Sequence, residues 1–276
     1  WPTWRGPNGN STSNEEAFPL EWSAEKNVRW KVDLLDRGNS SPVVWGNKVF
    51  ITQAIEAEHR RTLMAFDRRN GELLWQKGTV FKEAEETHQA NPYCSTSPVV
   101  DGERVIVSHA SAGVFCYDLD GNEIWSRDLG HQKHTWGSGS SPLIYGNLCI
   151  LYHGPGENGH LIGLDKRTGE TVWSVRDLPI VTEGRTDGFR GKEPGITGSF
   201  STPILVEAGD RTAGDRDEQE REPRGRARWV ELKRRGLDRW VVDQEAEVHR
   251  AQAQEELVAV DEVARLKEEP HRQHRR

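Results

Sequence analysis

Histidine is the residue type in this chain whose placement most suggests chemistry. Of ten histidines, seven precede residue 213: His59, His88, His109, His131, His134, His153 and His160. Imidazole is an acid-base group near neutral pH and a frequent metal ligand. His131-x-x-His134, with Trp136 two residues on, therefore reads as a nucleus for a metal or polar-ligand site. The competing reading is surface histidines with ordinary partners. His109 and His153 each fall eleven residues after a repeated Pro, so they occupy equivalent places on successive repeats, too far apart to share one ion. No metal is assigned. A second polar cluster, Arg185, Asp187, Arg190 and Lys192, lies in a glycine-rich stretch from 177 to 198 that could clamp an anion or serve as a plain surface loop. The ligand-binding candidates are His88, His131, His134, Trp136, Arg185 and Asp187; no residue is assigned as catalytic.

Other apparent motifs fail their context. Gly154-Pro-Gly-Glu-Asn-Gly159 spells the dinucleotide pattern, but an apolar strand, Leu161 to Leu164, follows it where a helix N-terminus should face the pyrophosphate. Asp67, Asp118 and Asp165 recur at one place in each repeat, as carboxylates that cap turns do. Cys94, Cys116 and Cys149 read as buried free thiols, with a Cys94–Cys116 disulfide as the alternative in an oxidising compartment.

The elements that must position these residues are repeated hairpins. Ala65-Phe-Asp-Arg-Arg-Asn-Gly71-Glu-Leu-Leu-Trp75 recurs at Gly163 to Trp173, and one residue shorter at Cys116 to Trp125. Each copy ends one strand, turns at a glycine (Gly71, Gly121, Gly169) and ends a second strand on Trp75, Trp125 or Trp173. Before each copy stands a Ser/Thr-Pro phrase opening an apolar run: Ser40-Ser-Pro-Val-Val, Ser97-Pro-Val-Val, Ser141-Pro-Leu-Ile and Ser201-Thr-Pro-Ile-Leu. A tight turn and another strand follow (Val49 to Thr52, Val105 to Ser108, Leu148 to Tyr152). Four strands in a meander, repeated every ~45 to 50 residues, is the pattern of a β-propeller blade.

The Ala-x-Asp-x-x-x-Gly-x-x-x-Trp frame resembles the tryptophan docking motif of pyrroloquinoline-quinone (PQQ) type propellers. The opening Trp1-Pro-Thr-Trp-Arg-Gly-Pro-Asn-Gly, Pro19-Leu-Glu-Trp and Asn27-Val-Arg-Trp is similar to the mature start of secreted bacterial proteins of the PQQ-like repeat class. This resemblance, over about residues 1 to 212, implies an all-β PQQ-like propeller with about three complete four-stranded blades plus a partial one, its ring not closed. It implies that Ala65, Asp67, Gly71 and Trp75, with Asp118, Gly121, Trp125, Asp165, Gly169, Trp173 and Trp30, are structural. For activity it is permissive, since quinoprotein dehydrogenases and a non-catalytic outer-membrane assembly lipoprotein share the repeat.

The domain reading has three parts: residues 1–27 form an irregular lead-in whose Trp1, Trp4, Phe18 and Trp22 should lie against the blades; 28–212 hold the partial propeller; 213–276 form a charged tail. Val28 to Leu34 reads as an outer strand lacking its three predecessors, which a ring-closing C-terminus should supply. In the tail 31 of 64 residues are Asp, Glu, Lys or Arg and neither repeat phrase returns, so it is expected to be disordered or helical (Val242 to Glu269), or the product of a frameshift or chimera. A net charge of -7 argues against nucleic acid or an anionic membrane as partner, and no membrane-spanning run occurs. The chain starts at Trp1 and its one methionine is Met64, so a signal peptide is presumed removed or missing and the expected location is secreted or periplasmic.

Alternating meander turns separate two faces: tight turns on one, long second-to-third-strand loops and interblade connections on the other. Every pre-tail histidine falls on the long-loop side, where variable loops on rigid scaffolds carry binding. The expected function is a non-catalytic scaffold for a protein, peptide or polysaccharide, with no cofactor. The alternative is a PQQ- and calcium-dependent oxidoreductase acting on an alcohol or sugar, although the adjacent-cysteine pair of several such enzymes is missing.

Overall fold

The computed structural model describes residues 1–16, 18–156, 158–176, 200–207, 229–231 and 239–242. The first unit, Trp1–Ile204, is built from three antiparallel four-stranded sheets, each in simple sequential order. Blade one comprises β1 (Val43–Trp45), β2 (Lys48–Ile55), β3 (Arg60–Asp67) and β4 (Leu73–Val80). Blade two comprises β5 (Val99–Val100), β6 (Arg104–Ser108), β7 (Val114–Asp118) and β8 (Glu123–Arg127); blade three comprises β9 (Leu143–Tyr145), β10 (Leu148–His153), β11 (His160–Asp165) and β12 (Thr171–Arg176). The fold is thus an all-β partial propeller, and the described strands close no ring.

Register repeats from blade to blade because the turn chemistry repeats. The third and fourth strands pair Ala65 with Trp75, Cys116 with Trp125 and Gly163 with Trp173, and the register shifts just after the first residue of each pair. Asp67, Asp118 and Asp165 hold the intervening turn: the Asp67 carboxylate accepts the Arg69 amide at 2.7 Å, Asp118 accepts the Asp120 and Asn122 amides, and Asp165 accepts the Arg167 amide. The Arg69 side chain also donates to Asp67 and is the main reason its carboxyl falls to about 2.

Two cores lie between the sheets rather than within them. Val43, Phe50, Leu63 and Ala65 of blade one pack on Val100, Val105, Val107, Phe115 and Tyr117 of blade two. Val99, Ile106, Val114, Cys116 and Trp125 pack on Cys149, Leu151, Ile162 and Leu164 of blade three. Alternation along each strand sends one face of a sheet to each neighbour, so inner strands are apolar on both sides.

Three devices link successive blades. On the outside, Trp75 donates its indole N–H to the Leu119 carbonyl and lies on Gly121, while Trp125 donates to the Lys166 carbonyl and lies on Gly169. These glycines adopt φ +86° and +74°, and a Cβ on either would stand 2.8 Å from the ring, so a side chain is excluded twice. On the inside, the Ser41 amide donates to the Ser97 hydroxyl, the Ser97 amide to Ser141 and the Ser141 amide to the Thr202 hydroxyl, at 2.9 to 3.0 Å. At the tight-turn end, Lys48 reaches the Leu119 carbonyl and Asp120, and Lys166 reaches Asp101, each at 2.6 Å.

The lead-in differs from expectation in two respects. Trp1 and Pro2 accept backbone hydrogen bonds from Val44 and Val100, bridging two blades, but Phe18 and Trp22 stand 63% and 71% exposed. Residues 28–34 make no strand, because no neighbouring strand pairs with them; Trp30 alone keeps the outer-strand role, donating to the Arg68 carbonyl and lying on Gly71.

The second unit, Leu205–Arg276, contains a three-stranded sheet in the order β13 (Ile204–Glu207), β15 (Arg239–Val242), β14 (Trp229–Glu231). Strands at 229–231 and 239–242 lie within the charged tail, where Trp229-Val-Glu and Arg239-Trp-Val-Val carry the β-branched and aromatic residues that favour pairing. The proposed helix from 242 to 269 lies outside the described residues.

Candidate functional site

The long connections of blades one and two meet in one place. Arg61 stands second in β3, just after the β2–β3 loop of blade one, the β6–β7 loop of blade two begins at His109, and the interblade stretches contribute Glu85 to Thr96 and Ser138. These line a recess of about 310 Å3, part of it open to solvent. A wider recess of about 750 Å3 adjoins it through Pro92 and is lined by Leu34 to Ser40, Ile51, Thr52 and Gln89 to Pro92.

Arg61 and His109 are each 3% exposed. The Arg61 guanidinium lies 3.5 Å above the Tyr93 ring. Its Nε has no hydrogen-bond partner, and Nη1 reaches only the Arg60 carbonyl at 3.5 Å. His109 Nδ1 lies 3.8 Å from the Cys94 sulfur and Nε2 is unpartnered. Burial, helped by the Arg61 charge, lowers the His109 pKa to about 3, and burial lifts the Cys94 thiol to about 12. The ring is therefore neutral and the sulfur carries its proton. Glu85 reaches the recess, but its carboxylate accepts the Ser111 hydroxyl at 2.6 Å.

Beside this recess the two interblade stretches form an aromatic pair. His88 lies tilted against Trp136, the ring planes 31° apart and the centroids 4.4 Å apart, and Trp136 remains 51% exposed. Asn91 fixes the pair by donating to the Trp136 and Ser138 carbonyls, and Gly137 closes against Thr87 and Asn91. The same stretch places His131 against Phe81, with Glu83 3.9 Å from its Nδ1.

The structure separates the pair that the sequence grouped. His131 is exposed, whereas His134 is buried, accepts the Trp136 amide at Nδ1 and lies edge-on to Phe200. The expectation of surface histidines is corrected at three positions, since His109, His134 and His153 are all buried. His153 contacts the Gly130 carbonyl through Nε2 at 2.9 Å, and burial lowers its pKa to about 4. No group of three or more His, Cys, Asp or Glu suited to a metal gathers among the described residues. Arg185 and Asp187 lie outside them. Cys94, Cys116 and Cys149 are buried, unbonded thiols.

Sequence reasoning missed Arg61, Tyr93, Cys94 and Glu85 as a group. One signal was available: Arg61 occupies a strand position whose alternation calls for an apolar residue, between Arg60 and Thr62-Leu63.

A family model described as outer membrane protein assembly factor BamB matches residues 20–93 and 59–265. No curated protein matches at the stringency applied. Among solved structures, a europium-containing methanol dehydrogenase aligns at TM-score 0.39 and 17% identity, over 51% of this chain and 25% of its own. A quinohemoprotein alcohol dehydrogenase from Pseudomonas putida HK5 aligns at 0.41 and 19%, over 54% and 22%, and BamB from Moraxella catarrhalis at 0.33 and 20%, over 50% and 35%. The chain therefore spans about a fifth to a third of the length of these three proteins.

Proposed function

We propose that this chain, which belongs to the PQQ-like repeat β-propeller family described as outer membrane protein assembly factor BamB, is a non-catalytic binding scaffold. It presents its long-loop face to a protein, peptide or polysaccharide, in the periplasm or outside the cell. The observation that carries this reading is the His88–Trp136 pair: a large aromatic surface left half exposed yet held rigid by ring contact and by Asn91. Fixed aromatics lose little entropy on binding and are over-represented among interface anchors. Blades locked by Trp75 and Trp125 supply the rigid frame such a surface needs. No residues are assigned to PQQ or calcium.

The test has two arms. Binding of the full chain to panels of extended peptides and of polysaccharides should reveal at least one class, weakened tenfold or more by Trp136→Ala with no change in melting temperature. Titration with PQQ and calcium, followed by the quinone's absorbance, should show no saturable change. A saturable, calcium-dependent change would replace the scaffold with the oxidoreductase.

A further inference from the structure

We propose that the recess between blades one and two binds a carboxylate group, with the Arg61 guanidinium as its cationic partner and His109 Nε2–H as a second donor. This does not rest on the scaffold reading. A guanidinium on a residue only 3% exposed is costly to hold without a counter-ion, and among the described residues no acid pairs with it. Arg61 makes no ion pair; its one carbonyl contact is long, and the face of Tyr93 offers only a quadrupole. Glu85 is the one acid lining the recess, and its carboxylate is engaged by the Ser111 hydroxyl and amide.

His109 adds a directed donor. A protonated thiol can donate to Nδ1 across the 3.8 Å contact, and in that tautomer the ring proton of neutral His109 sits on Nε2, as the proposed site requires. The Arg61 Nε–H and His109 Nε2–H are two buried, unpartnered N–H groups lining one recess. A carboxylate has two oxygens to accept them, and charge-assisted bonds of this kind are the strong class. The space inside the recess that solvent-sized atoms can occupy is about 20 Å3, on the order of one water, so it takes a single carboxylate group reaching in from its open side and not a whole ligand or a folded surface.

The experiment uses the full chain, labelled with 15N at arginine and histidine side chains and titrated with sodium acetate, with a blocked Gly-Glu-Gly amide and with sodium chloride at matched ionic strength. The expected result is a saturable shift of the Arg61 Nε–H resonance with acetate or the peptide but not with chloride. Saturation by acetate assigns a small free carboxylate; saturation by the peptide alone assigns a side-chain carboxylate. His109→Gln, which keeps an N–H donor, should weaken the response no more than about tenfold, and Arg61→Gln, which removes the Arg61 Nε–H reporter, should leave the His109 ring resonances with no saturable shift on adding acetate or peptide. Because Arg61→Gln risks misfolding, the wild-type spectrum stands as an independent reading. No saturable shift with either carboxylate, or an equal shift with chloride, overturns the proposal, and Trp136→Ala, which should weaken scaffold binding tenfold or more, should leave the acetate response intact.

Discussion

At the scale of single residues, most of the side chains that the sequence offered as reactive are committed to structure. The three blade aspartates hold turns and the cysteines are buried as small apolar groups. Trp125 is the clearest case, 8% exposed, seated on Gly169 and bonded to the Lys166 carbonyl. Trp125→Ala should lower unfolding free energy by about 3 to 5 kcal/mol in urea denaturation. Trp173→Ala should cost less than half as much, since its indole folds back on Gly163 of its own blade with Nε1 unpartnered. The histidines give a pH signature. His109 and His153 are held neutral in the folded state, with pKa values lowered to about 3 and about 4. As pH falls below ~6.5 the unfolded chain takes up these protons first, so stability should decline from there down to the folded values. That amounts to about 2 kcal/mol per buried histidine between pH 7 and 5. His109→Gln should remove about half of this slope, measured by urea denaturation across that range.

At the scale of elements, the Ser/Thr-Pro phrase has a role its composition did not announce. Proline at the start of an inner strand leaves that position without a donor, and the residue before it supplies both an amide and a hydroxyl. Ser41, Ser97, Ser141 and Thr202 use these in series, each hydroxyl after the first receiving the previous blade's amide. Thr202→Val keeps the shape and deletes the last acceptor, leaving the buried Ser141 amide unpaired. The expected cost is about 1 to 3 kcal/mol, read as a lowered urea midpoint, with Thr202→Ser near wild type. The strands and turns were legible because they depend on local alternation and on glycine. The long-loop recess was not, because Arg61, the pair Glu85 and Tyr93, and His109 come from three separate stretches whose meeting depends on how adjacent blades are rotated. Trp30 was legible as an outer-strand tryptophan, whereas its strand was not, since pairing needs neighbours that a sequence window does not contain.

At the scale of the whole molecule, the blades touch mainly their immediate neighbours, so stability should accumulate one interface at a time. The two apolar residues of the strand at 229–231, Trp229 and Val230, were too few to weigh against their charged surroundings. The lysines at the tight-turn end have a consequence for assembly. Between blades one and two the cation is Lys48 on the earlier blade and the anion Asp120 on the later; between blades two and three the order reverses, with Asp101 earlier and Lys166 later. Three nearly interchangeable sheets could stack in a wrong sequence at little loss of apolar contact. Stacking blade one directly on blade three, however, would bring Lys48 against Lys166. The alternating sign sets a like-charge contact against that one wrong pairing of blades.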